Sequence, residues 1–97
     1  MAKKLDPIHP GEILKVEFME PLGLSANAMS RAIGVPANRI TAIVNGTRGI
    51  TGDTALRLSR FFGNTARFWM NLQTQYELQV AEDAAGAAIN KIEKHAA

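Results

Sequence analysis

The feature that most constrains this chain is a pair of short helical patterns with almost nothing between them. Ser25 is a good N-cap for the first, in which Met29, Ala32 and Ile33 share one face. Gly34 stops it, because glycine takes the left-handed conformation that a side chain resists. After only Val35 the pattern resumes at Pro36, with Ile40, Ile43 and Val44 as its apolar set, and Asn45-Gly46 closes it. So short a link forces the two helices to pack across a tight turn. Ser30 is small enough to let them approach closely, and Val35 is placed to plug the gap. Ile40 and Ile43 then anchor the second helix. That leaves Ala37, Asn38, Arg39, Thr41 and Ala42 on its outer face at the N-terminal end.

The rest of the chain is punctuated in the same way, and no convincing alternating strand pattern interrupts it. An earlier helix begins at Pro10, a residue suited to the first helical position, with Glu12 placed to reach back as a cap. Its apolar stripe is Leu14, Phe18 and Leu22 beside Ile13, and Pro21 and Gly23 end it. Thr51 caps a fourth helix, helped by Asp53 near the positive end of the dipole, with Ala55, Leu58, Ser59 and Phe62 along one side. A fifth starts near Thr65 and carries Phe68, Trp69, Leu72, Tyr76 and Val80; Arg67 in its first turn goes against the dipole preference. Residues 81–97 are alanine-rich with Gly86 in the middle and only Ile89 and Ile92 to bury, which predicts a short helical or disordered tail. The expectation is an all-α fold: a compact five-helix domain over residues 1–80, with its helix-turn-helix at 25–45, and a tail over 81–97.

Charge locates the working face. Residues 1–24 hold three lysines against four acids, and residues 61–97 hold Arg67, Lys91 and Lys94 against four acids. Between them stand Arg31, Arg39, Arg48, Arg57 and Arg60 against Asp53 alone, so the net charge of +2 comes wholly from the middle third. Clustered arginine of this kind is what a phosphate-binding face needs. In a helix-turn-helix the second helix enters the major groove and its first residues touch base edges. Asn38 can pair in bidentate fashion with adenine and Arg39 with guanine, and Thr41 can meet a base, a phosphate or a thymine methyl. Ala37 and Ala42 offer only apolar contact, so part of any specificity falls to DNA shape. Ser25, Ala26 and Asn27 open a helix whose free amides attract a phosphate. Asn45, Thr47 and Arg48 follow the recognition helix as phosphate clamps; for Asn45 a bare capping role is the competing reading.

Other function classes find little support. There are no cysteines, hence no disulfide, zinc-thiolate site or cysteine nucleophile. His9 and Glu12 with His95 are the only candidate metal ligands, and no further cluster accompanies them. No glycine-rich phosphate loop or nucleophile–base pair is visible, so no enzyme, no cofactor and no small-molecule substrate are expected. The longest apolar runs are far short of a membrane span. Met-Ala-Lys-Lys at the start is followed by Asp-Pro-Ile-His-Pro, not by an apolar signal core, which makes the cytoplasm the expected location.

Residues 25–50 resemble the helix-turn-helix of Cro/C1-type phage repressors. Two flanking motifs, His9-Pro10-Gly11-Glu12-Ile13-Leu14 and Phe68-Trp69-Met70-Asn71-Leu72-Gln73-Thr74-Gln75-Tyr76-Glu77-Leu78, look like signatures of the HigA/VapI family of antitoxins. The resemblance runs from about residue 8 to residue 80. It implies a lambda-repressor-like domain in the antitoxin of a type II toxin–antitoxin pair. Such a protein is a homodimer that binds an operator palindrome at its own promoter and neutralises a HigB/RelE-type mRNA endonuclease. It also implies base reading by Ala37, Asn38, Thr41 and Ala42 with Arg39 beside them, and phosphate contacts from Ser25, Ala26, Asn45 and Thr47 or Arg48. A repressor of phage or plasmid type without a toxin is the alternative. Trp69 and Tyr76 lie seven residues apart and carry polar handles suited to an interface. With Gln73 they are the predicted dimer contacts, while Phe68 and Leu72 are assigned to the core.

Overall fold

A histidine and a proline start the first helix of the chain. In the computed structural model, which describes residues 6–95, α1 (Pro10–Ile13) opens at Pro10. Its cap is His9, not Glu12: the His9 Nδ1 accepts the Gly11 amide at 2.9 Å. The basic Met1–Lys4 stretch lies outside the described residues. α1 runs directly into a π-helical stretch (Leu14–Met19) and a 3-10 turn (Glu20–Leu22), which Gly23 ends at φ 65°. Pro21 therefore sits inside the last turn. A π-helix lines up residues five apart, so Leu14 is continued inward by Met19, both buried. The predicted partner Leu22 is 61% exposed. A period of 3.6 misplaced it.

The next two helices follow the sequence expectation closely. Ser25 caps α2 (Ala26–Ile33), its Oγ accepting the Ala28 amide at 3.0 Å. Gly34 ends the helix at φ 73°, and the Val35 amide bonds back to the Ser30 carbonyl at 2.9 Å. The buried face is Met29, Ser30 and Ile33; Ala32, predicted to share it, points to solvent. α3 (Ala37–Val44) starts one residue later than predicted, with Pro36 as its N-cap. α4 (Gly52–Phe62) is capped by Thr51 and α5 (Ala66–Asn90) by Thr65. α2 packs on α3, α4 crosses α2 and α5, and α1 lies between α3 and α5.

Leu14, Met29, Ile40, Ile43, Leu58 and Trp69 have no exposed surface. Each side chain so buried contributes roughly 1.5–3 kcal/mol against leaving it in water. One contact in this core is backbone against backbone. A Cβ on Gly11 would overlap the Ile43 carbonyl oxygen and come within 2.6 Å of its carbon, so only glycine lets α1 seat on the end of α3.

α5 passes the boundary set at residue 80 without a break. At 25 residues it is about 37 Å long, and from Val80 to Asn90 every residue except the half-buried Gly86 is exposed. Ile89 and Ile92, the only large apolar side chains of the predicted tail, are 48% and 73% exposed. The outer part of α5 thus projects from the body, as the 51 × 34 × 22 Å extents reflect.

Candidate nucleic-acid interface

The outer face of α3 carries the residues the sequence put there. Ala37, Asn38 and Thr41 are exposed, and Arg39 and Ala42 are half-buried. Asn38 presents both amide donors and its carbonyl to the outside. Thr41 Oγ1 donates to the Ala37 carbonyl at 3.2 Å, which leaves its lone pair and methyl group for a partner. At the opposite end of the helix, the Ala42 carbonyl accepts from the Thr47 amide at 2.9 Å, the Arg48 amide at 3.2 Å and Thr47 Oγ1 at 3.1 Å. Gly46 at φ 81° and its bond to the Ile43 carbonyl complete a Schellman closure. Asn45 is the C-cap residue and exposed. The Thr47 hydroxyl proton is thus spent inward, and the exposed Arg48 side chain is the cation of this segment.

At the start of α2, Ser25 Oγ is an acceptor toward Ala28, so its own proton is free to be donated outward. The amides of Ala26 and Asn27, the first two of the helix, have no carbonyl in the preceding turn to bond. Ser25 and Asn27 are exposed and Ala26 half-buried.

Arg39 requires a correction. Its Nη1 donates to Asp53 Oδ2 at 2.8 Å, and its side chain is only 23% exposed. The same carboxylate oxygen accepts from Arg57 Nε at 3.0 Å, and Arg57 Nη1 donates to the carbonyls of Ile33 at 2.9 Å and Gly34 at 3.2 Å. Hydrogen bonds from Arg57 and then Arg39 hold the Asp53 carboxyl below the usual carboxylate range. The guanidinium predicted to read guanine is therefore turned toward the first turn of α4. With Arg57 it ties that turn to the end of α2 and the start of α3. Only the Asp53–Arg57 pair, four apart on one helix, was readable from spacing; its junction with Arg39 was not.

Two of the three predicted dimer contacts also need correction. Trp69 is fully buried and Gln73 is 7% exposed, so neither offers a surface to a second chain. The polar handle of Trp69 finds its partner inside the chain, donating from Nε1 to Asn64 Oδ1 at 3.0 Å. Its rings lie 4.8 Å from Phe18 and 5.0 Å from Phe68. Phe68, assigned to the core, is instead 37% exposed. Half-buried Tyr76 sets its ring 4.8 Å from His9. Asn64, just ahead of the helix cap, was the overlooked signal.

His9 is used structurally. Burial pushes its imidazole below the ordinary histidine range, partly offset by a hydrogen bond to the Arg48 backbone. Among the described residues no group of three His, Asp or Glu is placed to hold a metal.

A tight pair of helices, with a polar outward face on the second and arginine around it, defines a helix-turn-helix DNA-binding regulator. A helix-turn-helix family model matches residues 15–69. The chain is 53% identical over 79 residues to virulence-associated protein I of Dichelobacter nodosus, spanning 81% of this chain and 73% of that one. It is 40% identical over 75 residues to antitoxin HigA-1 of Vibrio cholerae, spanning 77% and 70%. The structure of Pseudomonas aeruginosa antitoxin HigA with the higBA promoter superposes with a TM-score of 0.89 at 46% identity, over 93% of this chain and 99% of that one. The chain belongs to the HigA family of helix-turn-helix antitoxins, a family of regulators and not of enzymes. Among the described residues no helix is long and apolar enough to cross a membrane.

Proposed function

We propose that this protein is the antitoxin of a type II toxin–antitoxin pair. As a homodimer it binds an operator palindrome and represses its own operon, and it neutralises a HigB/RelE-type mRNA endonuclease in the cytoplasm. The observation that carries this reading is the exposed N-terminal face of α3, in a fold matched at TM-score 0.89 by an antitoxin solved with its promoter.

On this reading α3 enters the major groove. Asn38 and Thr41 reach base edges, with Ala37 and Ala42 packing against thymine methyls. Ser25, Ala26 and Asn27 hold one phosphate, and the segment of Asn45, Thr47 and Arg48 holds another. With two polar readers per half-site, DNA shape supplies part of the specificity.

The dimer contact passes from Trp69 and Gln73 to the outer half of α5. Leu78, Ala85 and Ile89 fall on one line of this helix and are all exposed, flanked by exposed Ala81 and Ala88. Small residues between larger apolar ones let two such helices approach closely, and a two-fold axis there presents two recognition helices to one palindrome.

The test is co-purification with the product of the adjacent gene, followed by a gel shift on the shared promoter. A specific shift together with a co-purifying toxin is the expected result. A shift with no toxin partner in the neighbouring gene would leave a simple repressor, and no shift would refute the reading.

A further inference from the structure

The two motifs that flank the helix-turn-helix lie some sixty residues apart in the chain, yet both converge on the segment between α3 and α4. From the C-terminal motif comes Gln73. It is buried, and its Oε1 accepts the Ile50 amide at 2.7 Å. Its Nε2 donates to Glu77 Oε2 at 2.7 Å, which fixes the orientation of the amide group. The same side chain fills the space over Gly49, where a Cβ would come within 2.8 Å of it. From the N-terminal motif comes His9, whose ring packs over Gly46, 3.9 Å from where a Cβ there would stand. Tyr76 closes the gap between the two motifs by its edge contact with His9. Residues 46–50 are therefore held at both ends, at Gly46 by the packed ring of His9 and at Ile50 by the hydrogen bond to Gln73.

That grip has a direct consequence for DNA binding. A phosphate contact requires its donor to be in register with the bases read by α3. Closure of α3 through the Ala42 carbonyl fixes the start of this segment, but not the direction it takes afterwards. We propose that Gln73 is a positioning residue for DNA binding: with His9 it holds the 46–50 segment so that Arg48 meets an operator phosphate in step with α3. This rests on the phosphate role assigned above to Arg48. It gives the two family motifs a common task that neither has alone.

The salt dependence of operator affinity is the readout. Its slope counts released counterions, so it does not respond to stability as such. In the full-length protein, Gln73→Leu leaves the Ile50 amide without its acceptor. Operator binding weakens about ten-fold, the size of one lost hydrogen bond to a charged group, and the slope of log K against log salt flattens by about one. Gln73→Glu keeps an acceptor for Ile50 but sets two carboxylates together, and it shows the same flattening if Gln73→Leu fails to fold. Gln73→Glu combined with Glu77→Gln exchanges the two partners, restores both hydrogen bonds and returns slope and affinity to the parent values.

Arg48→Ala is measured in parallel. If it flattens the slope while the folded Gln73 variants keep the parent slope, the clamp is overturned and the phosphate reading stands. If Arg48→Ala itself leaves the slope unchanged, the phosphate reading falls and the clamp with it. Failure of the exchanged pair to restore the slope also overturns the proposal.

Discussion

Gly11→Ala is the sharpest perturbation this fold offers. The added Cβ would overlap the Ile43 carbonyl oxygen and lie 2.6 Å from its carbon and 3.0 Å from the Val44 Cα. Ordinary carbon–carbon contact begins near 3.5 Å, so the two backbones must part by about 1 Å. Neither side can give cheaply. Gly11 is in the first turn of α1, anchored by His9, and Ile43 is a fully buried residue of α3. Overpacking of a core costs about 1–3 kcal/mol where side chains can adjust, and a clash with backbone belongs at or above the top of that range. A cost of about 3 kcal/mol lowers the melting temperature of a domain this size by more than about 10 °C. Urea and thermal unfolding at one fixed protein concentration measure it, since the stability of the proposed dimer would depend on concentration. Gly52→Ala is the matched control. A Cβ there meets nothing within 4 Å, so stability stays unchanged or rises by a few tenths of a kcal/mol. If Gly11→Ala unfolds within about 0.5 kcal/mol of the parent, a difference typical of a neutral surface change, the close seating of α1 on α3 is wrong.

Asn38→Ala costs about 1–3 kcal/mol of discrimination at one operator base pair and little elsewhere; a binding-site selection that returns the parent preference would exclude Asn38 as a reader. Arg39→Ala lowers stability by removing one of the two arginine links to Asp53, Asp53→Asn lowers it at least as much because it weakens both, and neither changes base preference; relaxed preference in Arg39→Ala alone would return Arg39 to the bases. Asp53 is held below its ordinary value of 3.8. Its contribution is therefore complete above that value and disappears as the pH falls through the depressed one, so stability curves of the parent and Asp53→Asn converge in strong acid. Leu78→Glu with Ile89→Glu gives a monomer in sedimentation at micromolar concentration with helix content retained; an intact dimer would place the contact elsewhere than the outer half of α5.

Most local chemistry that acts within a few residues was legible, the start of α1, capped by His9 and not by Glu12, being an exception. Caps at Ser25 and Thr51, a helix start near Thr65, stops at Gly34 and Gly46, and the polar outer face of α3 all rest on short-range sterics and hydrogen bonds, and the sequence alone determined them. Periodicity went astray where the period itself changed: the π-helical stretch after α1 replaced Leu22 by Met19 in the core. Polar partners distant in sequence were out of reach altogether. Gln73 looked like an interface group until the Ile50 amide, twenty-three residues back in the chain, donated to it; the acceptor of the Trp69 indole, Asn64, stands only five residues away and was within reach but overlooked.

Arg39 marks the same divide within the site. Its position, third in the recognition helix, follows from the sequence, and so does its suitability for guanine. Where its guanidinium points was settled by Asp53, fourteen residues on, across the α3–α4 connection. The sequence by itself therefore determined that a helix-turn-helix exists and which face of α3 is presented. Tertiary structure decided which of those side chains remain free to bind, because a hydrogen bond between distant residues depends on how helices pack and leaves no spacing in the chain to read.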